Sequence, residues 1–347
     1  MIFVTLHEHS ILLTNISIGM VFLEIDGHCK EYELGVGEST AVSAFDSYVS
    51  DWIIWLPTTK GFFSPRNVKD VHAYGIELQS SAAVALVFLK ALCHVNNIQP
   101  EPQELIRISV ASENDYVGVN SGKLDQSCEV YSKKDHLLYL DTKTDQYELI
   151  PTHPQMKPYR IAIFFSGIER TLAGSKFNMR IDEARSAAYA LMAYAGIEYG
   201  KFHEANLRAV PRQIYEQYKL QLPETWRRRA EHWYTEYDRV EQGAEAWRKG
   251  DLQTYGQLSF ESGHSSIVNW ETGSPELKAL YDIMRHTDGI YGGRFSGAGF
   301  KGCCMALIDP AYEENITRQV TTEYLKIFPQ LKDKYSYHIC QSADGVL

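Results

Sequence analysis

Apolar and polar positions change rhythm along this chain, and each change predicts an element. The opening stretch, Ile2 to Leu6 and then Ser10 to Ile25, is rich in β-branched residues and breaks at Asp26-Gly27, which predicts a hairpin with an acidic turn. Between Gly35 and Gly75 short apolar runs such as Trp52 to Leu56 alternate with Pro57, Gly61 and Pro65, a pattern dominated by turns. From Ser80 to Val95 helix formers follow one another, with two serines where the orphan N–H groups of a helix start face outward. Pro102 to Val117 predicts a helix entered by proline, with Leu105, Ile108 and Ala111 on one side. His136 to Leu140 predicts a strand followed by a turn near Thr144-Asp145, and Tyr159 to Phe165 a buried strand ending at Ser166-Gly167. Ser175 to Gly196 joins a polar entry to a long helix. Glu224 to Lys249 and Asp251 to Ile267 have helical spacing with charged faces. The tryptophans at 226, 233 and 247 are expected as core anchors rather than ligand platforms. A strand at Cys303 to Ile308, an amphipathic helix at Tyr312 to Phe328 and a closing strand at Ser336 to Gln341 complete an α+β pattern.

A chain of 347 residues exceeds the usual single domain, so two domains are expected, 1–157 and 158–347. Hydrophobic content of 44% and charge of 22% are those of a globular protein. The formal net charge of -10 argues against nucleic-acid binding, which needs clustered Lys and Arg, and any anionic substrate must find a local basic site. The six cysteines form no CxxC pair and no regular framework, so reduced thiols are expected. His7-Glu8-His9 has metal-ligand chemistry but no third ligand nearby, which favours surface residues on a strand end. Neither a cleavable leader nor a run of about 18 apolar residues is found, so a cytoplasmic protein without a membrane span is expected. Oligomeric state is not legible.

Three stretches carry candidate chemistry. Asp125 follows a Ser121-Gly122 step that lets the backbone turn tightly before a helix, and reads either as an ordinary helix-start carboxylate or as a placed acid. Ser80 and Ser81 are either a helix cap or the mouth of an anion site. The glycines from Gly289 to Gly299 suit a bulge or hairpin, or a loop whose backbone passes close to another loop or to phosphate. Cys303 and Cys304 point to opposite faces of their strand and are not a zinc pair.

In order, Leu78-Gln79-Ser80-Ser81-Ala82-Ala83, Glu113 to Val119 with Gly122-x-Leu124-Asp125-Gln126, and Arg294 to Cys304 resemble the three motifs of GHMP-superfamily sugar kinases. The resemblance is to galactokinases and, more closely, galacturonokinases. It runs from about Leu78 to the C-terminus, through Phe164 to Gly167, Asn178-x-Arg180, Arg229 to His232 and Ser274 to Leu277. It implies a two-domain α+β fold with the active site between the domains, ATP and Mg²⁺ as cofactors, and a sugar or uronic acid as acceptor at its anomeric hydroxyl. Asp125 would be the catalytic acid or base, Leu78, Gln79, Ser80, Ser81, Ala82 and Ala83 would hold phosphate, and Ser81 would ligate the metal. Gly122, Gln126, Phe177, Arg180, Gly297, Ala298 and Gly299 would meet the sugar, with Arg180 or Arg170 facing a uronate carboxylate.

The chain departs from this family at identifiable positions. Glu77 stands where relatives have glycine, and two like charges about 4 Å apart repel by roughly 4 kcal/mol at an effective dielectric near 20. Lys123 replaces an apolar residue two before the aspartate, and Phe177 replaces a tyrosine, keeping the stacking face and losing the hydroxyl. The family's Gly-x-His-x-Asp-x-x-Gly-Gly segment and its upstream arginine are not found, so the N-terminal domain is expected to be truncated or divergent at its start. These departures leave open a second class of function, a catalytically weak relative acting as a sugar sensor or partner-binding protein.

Overall fold

The computed structural model describes residues 20–25, 28–37, 62–65, 80–95, 97–117, 122–168, 176–198, 200–297 and 299–346. The chain forms two compact units, one of Ile150–Gln341 and one joining Ile2–Leu149 to Ser342–Leu347. His7 to His9, Glu77 and Arg170 lie outside the described residues.

In the unit that contains residue 125, strands β1 (Met20–Ile25), β2 (His28–Gly37) and β3 (Phe62–Pro65) form an antiparallel sheet in that order. Ile25 faces His28, so two residues connect the first hairpin, as the Asp26-Gly27 break predicts. The segment expected to be all turns contributes β3. It is a four-residue edge strand closed by Pro65, short enough to hide among turn signals.

Helices α1 (Ser80–Val95), α2 (Pro102–Ala111) and α3 (Leu124–Tyr131) follow, packed around Leu86, Leu89, Cys93, Leu105, Ile106, Val130 and Tyr131. The helix expected through Val117 is α-helical only to Ala111 and continues as a π-helical turn, Ser112–Val117. The buried face of α2 is Leu105, Ile106 and Ser109 rather than Leu105, Ile108 and Ala111, and Ser112 and Glu113 in the π turn are also buried. Helical spacing of apolar residues misses this face because two of its members are serines. Strands β4 (His136–Leu140) and β5 (Tyr147–Pro151) pair across a turn in which the Asp141 carboxylate accepts from the Lys143 N–H at 2.8 Å and Asp145 adopts φ 60°.

The other unit is built on an antiparallel sheet ordered β7-β8-β6-β9, from β6 (Arg160–Phe165), β7 (Ile290–Phe295), β8 (Cys303–Ile308) and β9 (Ser336–Cys340). Adjacent Cys303 and Cys304 are both fully buried, so both faces of β8 are covered. Helices α8 (Pro275–Arg285) and α9 (Glu313–Ile327) supply Leu277, Leu280, Met284, Ile316, Val320 and Tyr324 to the sheet's core. A second core joins α4 (Phe177–Tyr194), α5 (Arg212–Tyr218) and α6 (Glu224–Arg248) around Ala188, Leu191, Tyr215 and Tyr234, with Trp226 and Trp233 packed against it. Trp247 is fully buried against Tyr159 and Tyr255, so the tryptophans serve the interior. Among the described residues no helix is long and apolar enough to cross a membrane, and Cys93, Cys128 and Cys304 are free thiols.

Of the two readings of the glycine run, a bulge or hairpin and a loop, the first holds for its strand portion, which pairs antiparallel with β8 and shifts register between Ile290 and Gly292. Residues 290–295 are β7, and Gly292 packs against Gly256 of α7 (Leu252–Val268): a Cβ at Gly256 would overlap the Tyr291 carbonyl, and one at Gly292 the Gly256 carbonyl. Glycine here buys helix-to-strand contact rather than approach to a ligand. Gly256→Ala and Gly292→Ala should therefore each lower unfolding stability by about 3 kcal/mol, read as a drop in the urea midpoint. Gly200→Ala, whose methyl would meet only the end of the Glu204 side chain, should leave the midpoint unchanged. Unchanged midpoints for all of them would show that α7 and β7 separate freely.

Candidate active site

The sequence places its acid on α3, and the structure surrounds it with more carboxyl groups. Asp125 is the second residue of this eight-residue helix and half-buried. Lys123, at the helix entrance, makes no side-chain cap and directs its ammonium to Asp145 in an ion pair. Gln126 is fully buried, and its Nε2 donates to Glu113 Oε2 at 3.0 Å, tying the residue after Asp125 to the π turn. One turn beyond Asp125, Glu129 is buried, and its carboxyl is pushed up to about 9 by burial first and then by the charges of Asp125 and Glu113. Glu129 is a neutral acid at pH 7. Neither Glu113 nor Glu129 was singled out from sequence. The available signal was helical spacing, since Glu129 lies four residues after Asp125 on the same face.

The chemistry of this cluster suits a hard cation. Among the described residues its buried oxygens Gln126 Oε1 and Ser127 Oγ have no hydrogen-bond partner, and oxygen is the donor atom a hard cation takes. Among the described residues no group of three or more His, Cys, Asp or Glu could hold a metal by itself. One or two carboxylates plus substrate phosphates is the coordination Mg²⁺ commonly takes, so the residues fit that ion.

Ser80 and Ser81 open α1, which packs against α3; Ala82 is buried and Ala83 half-buried behind them. Leu78 and Gln79 lie outside the described residues, and Gly122 is exposed just before α3, with open space around its Cα.

The other predicted residues belong to the second unit. Phe177 opens α4, and Arg180 one turn later is buried. Arg180 donates to Glu183 at 3.0 Å and pairs with Glu271 at 3.4 Å. Fully buried Arg229 donates to Glu183 at 2.6 Å, to Glu271 at 2.5 Å and to the Asn269 carbonyl, and Arg228 pairs with Glu271 at 2.9 Å. Arg180 therefore sits inside a cluster of arginines and glutamates, a setting the sequence did not predict. The segment 269–273 links this cluster to the glycine loop, because the Gly273 N–H donates to the Gly299 carbonyl at 2.7 Å. Gly297 and Gly299 have φ of 56° and 72°, and a Cβ at Gly299 would lie 2.9 Å from the Phe295 ring. Both positions need glycine. Ala298 lies outside the described residues.

Comparison with known proteins places these features in a family. Residues 75–133 match the GHMP kinases N terminal domain and residues 244–326 the GHMP kinases C terminal domain. A galacturonokinase of Arabidopsis thaliana is 38% identical over 273 residues, covering 77% of this chain and 64% of the relative, so the chain spans about two thirds of that protein's length. A galactokinase of Thermotoga neapolitana is 30% identical over 78% of this chain and 72% of its own length. The crystal structure of Lactococcus lactis galactokinase complexed with galactose superposes with a TM-score of 0.68 at 27% identity, covering 76% of this chain and 66% of that one.

The buried neutral carboxyl of Glu129 gives stability a definite pH dependence. Above pH 4.5 the unfolded chain releases this proton, whereas the folded chain holds it to about pH 9. The stability tied to Glu129 is thus complete below 4.5 and lost as pH rises towards 9. Glu129→Gln keeps the shape without the ionisation. It should match the wild type near pH 4.5 and exceed it by about 3 kcal/mol at pH 7 in denaturant unfolding. Parallel curves for the two proteins from pH 4.5 to 9 would show that Glu129 ionises as readily folded as unfolded.

Proposed function

The chain belongs to the GHMP kinases, within the galactokinase group, and on that premise we propose that it is an ATP-dependent sugar 1-kinase acting on galacturonate or a related hexose. The observation that carries this reading is Asp125, half-buried in the first turn of α3, inside the region that matches the family's N-terminal model. The similarity to a galacturonokinase supports a uronate as acceptor.

In the proposed reaction Asp125 takes the proton of the anomeric hydroxyl as its oxygen bonds to the γ-phosphorus of ATP. The bond from that phosphorus to the β–γ bridging oxygen breaks, leaving ADP and a sugar 1-phosphate. No covalent intermediate with the protein is required. The start of α1 offers unpaired N–H groups and the positive end of a helix dipole, and with Leu78, Gln79, Ser80, Ser81, Ala82 and Ala83 it is assigned the nucleotide phosphates. Mg²⁺, when bound, neutralises charge on the β- and γ-phosphates. The Ser81 hydroxyl is assigned as its ligand. Gly122, Gln126, Phe177, Arg180, Gly297, Ala298 and Gly299 are assigned to the sugar. Because Arg180 is already engaged by Glu183 and Glu271, a uronate carboxylate would share this guanidinium with them rather than meet a free cation. A cytoplasmic location goes with the use of ATP.

Asp125→Asn should lower kcat by at least about a hundredfold, the usual range for a positioned acid or base, with unchanged circular dichroism. Retained turnover in this variant would remove Asp125 from the chemistry. With MgATP, kcat/KM for galacturonate should exceed that for galactose by about a hundredfold, because only the uronate carboxylate adds charge-assisted hydrogen bonds to Arg180. Equal values would assign the chain a neutral hexose. Absence of turnover with either sugar, alongside calorimetric sugar binding, would favour the sensor over the kinase.

A further inference from the structure

The last residues of the chain belong to the unit that carries Asp125, although β9 just before them belongs to the other. They bind one target, the C-terminal end of α3. The Val346 N–H donates to the Glu129 carbonyl at 2.9 Å, and the Gly345 N–H donates to the Ser132 carbonyl at 2.7 Å. The Asp344 carboxylate accepts from the Lys134 N–H at 2.8 Å, and the Ser342 hydroxyl accepts from the Asp135 N–H at 2.9 Å. Val346 also packs against the core that Val130 and Tyr131 share with α1 and α2.

The last carbonyls of any helix lack partners within it, so something outside must satisfy those that are buried. Here the tail backbone supplies the donors. Gly345 fits because it has no side chain: a Cβ there would stand 2.7 Å from both the Glu129 and the Val130 carbonyl oxygens. Helix α3 has eight residues and no side-chain cap at its entrance, and a helix that short has no stable position except through packing. Asp125 is at the uncapped end. Rotation or sliding of α3 would move its carboxylate directly, and displacement by about 1 Å is enough to cost a large factor in turnover.

We propose that residues 342–346 are a positioning clamp, whose backbone donors hold the far end of α3 and thereby set the place of the Asp125 carboxylate. The inference rests on the kinase reading of Asp125, and its test separates the two. The variants are Gly345→Ala, which forces the tail away from the α3 carbonyls, Asp344→Ala, which removes only the Lys134 contact, and a chain ending at Gln341. Each is assayed with MgATP and galacturonate, and amide hydrogen exchange is followed across 124–135.

Gly345→Ala should lower kcat about tenfold or more and leave both KM values within about twofold. Exchange in 127–135 should quicken while the amides of β6 and β8 remain protected. Asp344→Ala should shift both readouts in the same direction by less. If the shortened chain folds with β6 and β8 protected as in the wild type, a synthetic peptide of residues 342–347 should restore part of its kcat and slow exchange in 127–135 together. Faster exchange with unchanged kcat would overturn the clamp's role in catalysis, and unchanged exchange in Gly345→Ala would overturn the clamp itself. A wild type without sugar kinase activity would overturn the kinase reading and the catalytic role of the clamp together, and the exchange data alone would then decide whether the tail holds α3.

Discussion

A guanidinium with no exposed surface cannot be left unpaired, and Arg229 is such a group. Removing one partner from a buried ion pair costs several kcal/mol, because the remaining charge stays desolvated. Each arm of Arg229 is engaged by a different part of the chain: Nε by Glu183 on α4, one terminal nitrogen by the Asn269 carbonyl and the other by Glu271. Helix α4, helix α6 and the 269–273 connection are thus joined at one point. The same connection carries the Gly273 N–H that donates to the Gly299 carbonyl, so the glycine loop takes its place from this constraint. Arg180 and Arg228 add two further cations, and Arg228 also pairs with Glu224 at 3.9 Å, so three arginines meet three glutamates. Arg180, proposed above to meet a uronate carboxylate, is therefore part of the framework in any case.

The unit that carries Asp125 has the opposite electrostatic character. Asp125 and Glu113 both lie within reach of Glu129, and burial together with their charges makes the cheapest arrangement one in which Glu129 keeps its proton. The Gln126 amide answers part of the remaining negative charge by donating to Glu113. A short helix bearing such a cluster is held by its neighbours rather than by its own hydrogen bonds. Packing on α1 and α2 supplies one part of that hold, and the tail bound to its last carbonyls supplies another. An acid-rich site of this kind is chemically matched to a reaction in which metal and phosphates arrive together with the acceptor.

Legibility differed from one feature to the next for physical reasons. The helices at 80–95, 177–194, 224–248 and 252–268 and the hairpin closed by Ile25 and His28 were readable because local propensity and periodicity agree with their tertiary surroundings. The glycines at 292 and 293 signal a backbone exception without saying which kind, since a bulge, a hairpin and a loop all use glycine. Here the exception is the contact of β7 with α7, supplied by Gly256 from far along the chain. The buried face shared by α2 and the π turn escapes apolar periodicity because Ser109, Ser112 and Glu113 stand on it, and only tertiary contacts such as the Gln126 amide on Glu113 bury them.

The sequence by itself determined the element types, the order of the three motifs and the acid at 125, since each depends on residues close in the chain and on their fixed spacing. Only the tertiary structure decided which groups are buried together: Glu129 as a neutral acid beside Asp125, Arg180 inside an arginine–glutamate cluster, and the chain's last residues on the carbonyls of α3. Burial and charge pairing are sums over neighbours brought from distant positions. They shift a proton or immobilise a guanidinium by desolvation and Coulomb interaction, and neither effect exists until the chain has folded.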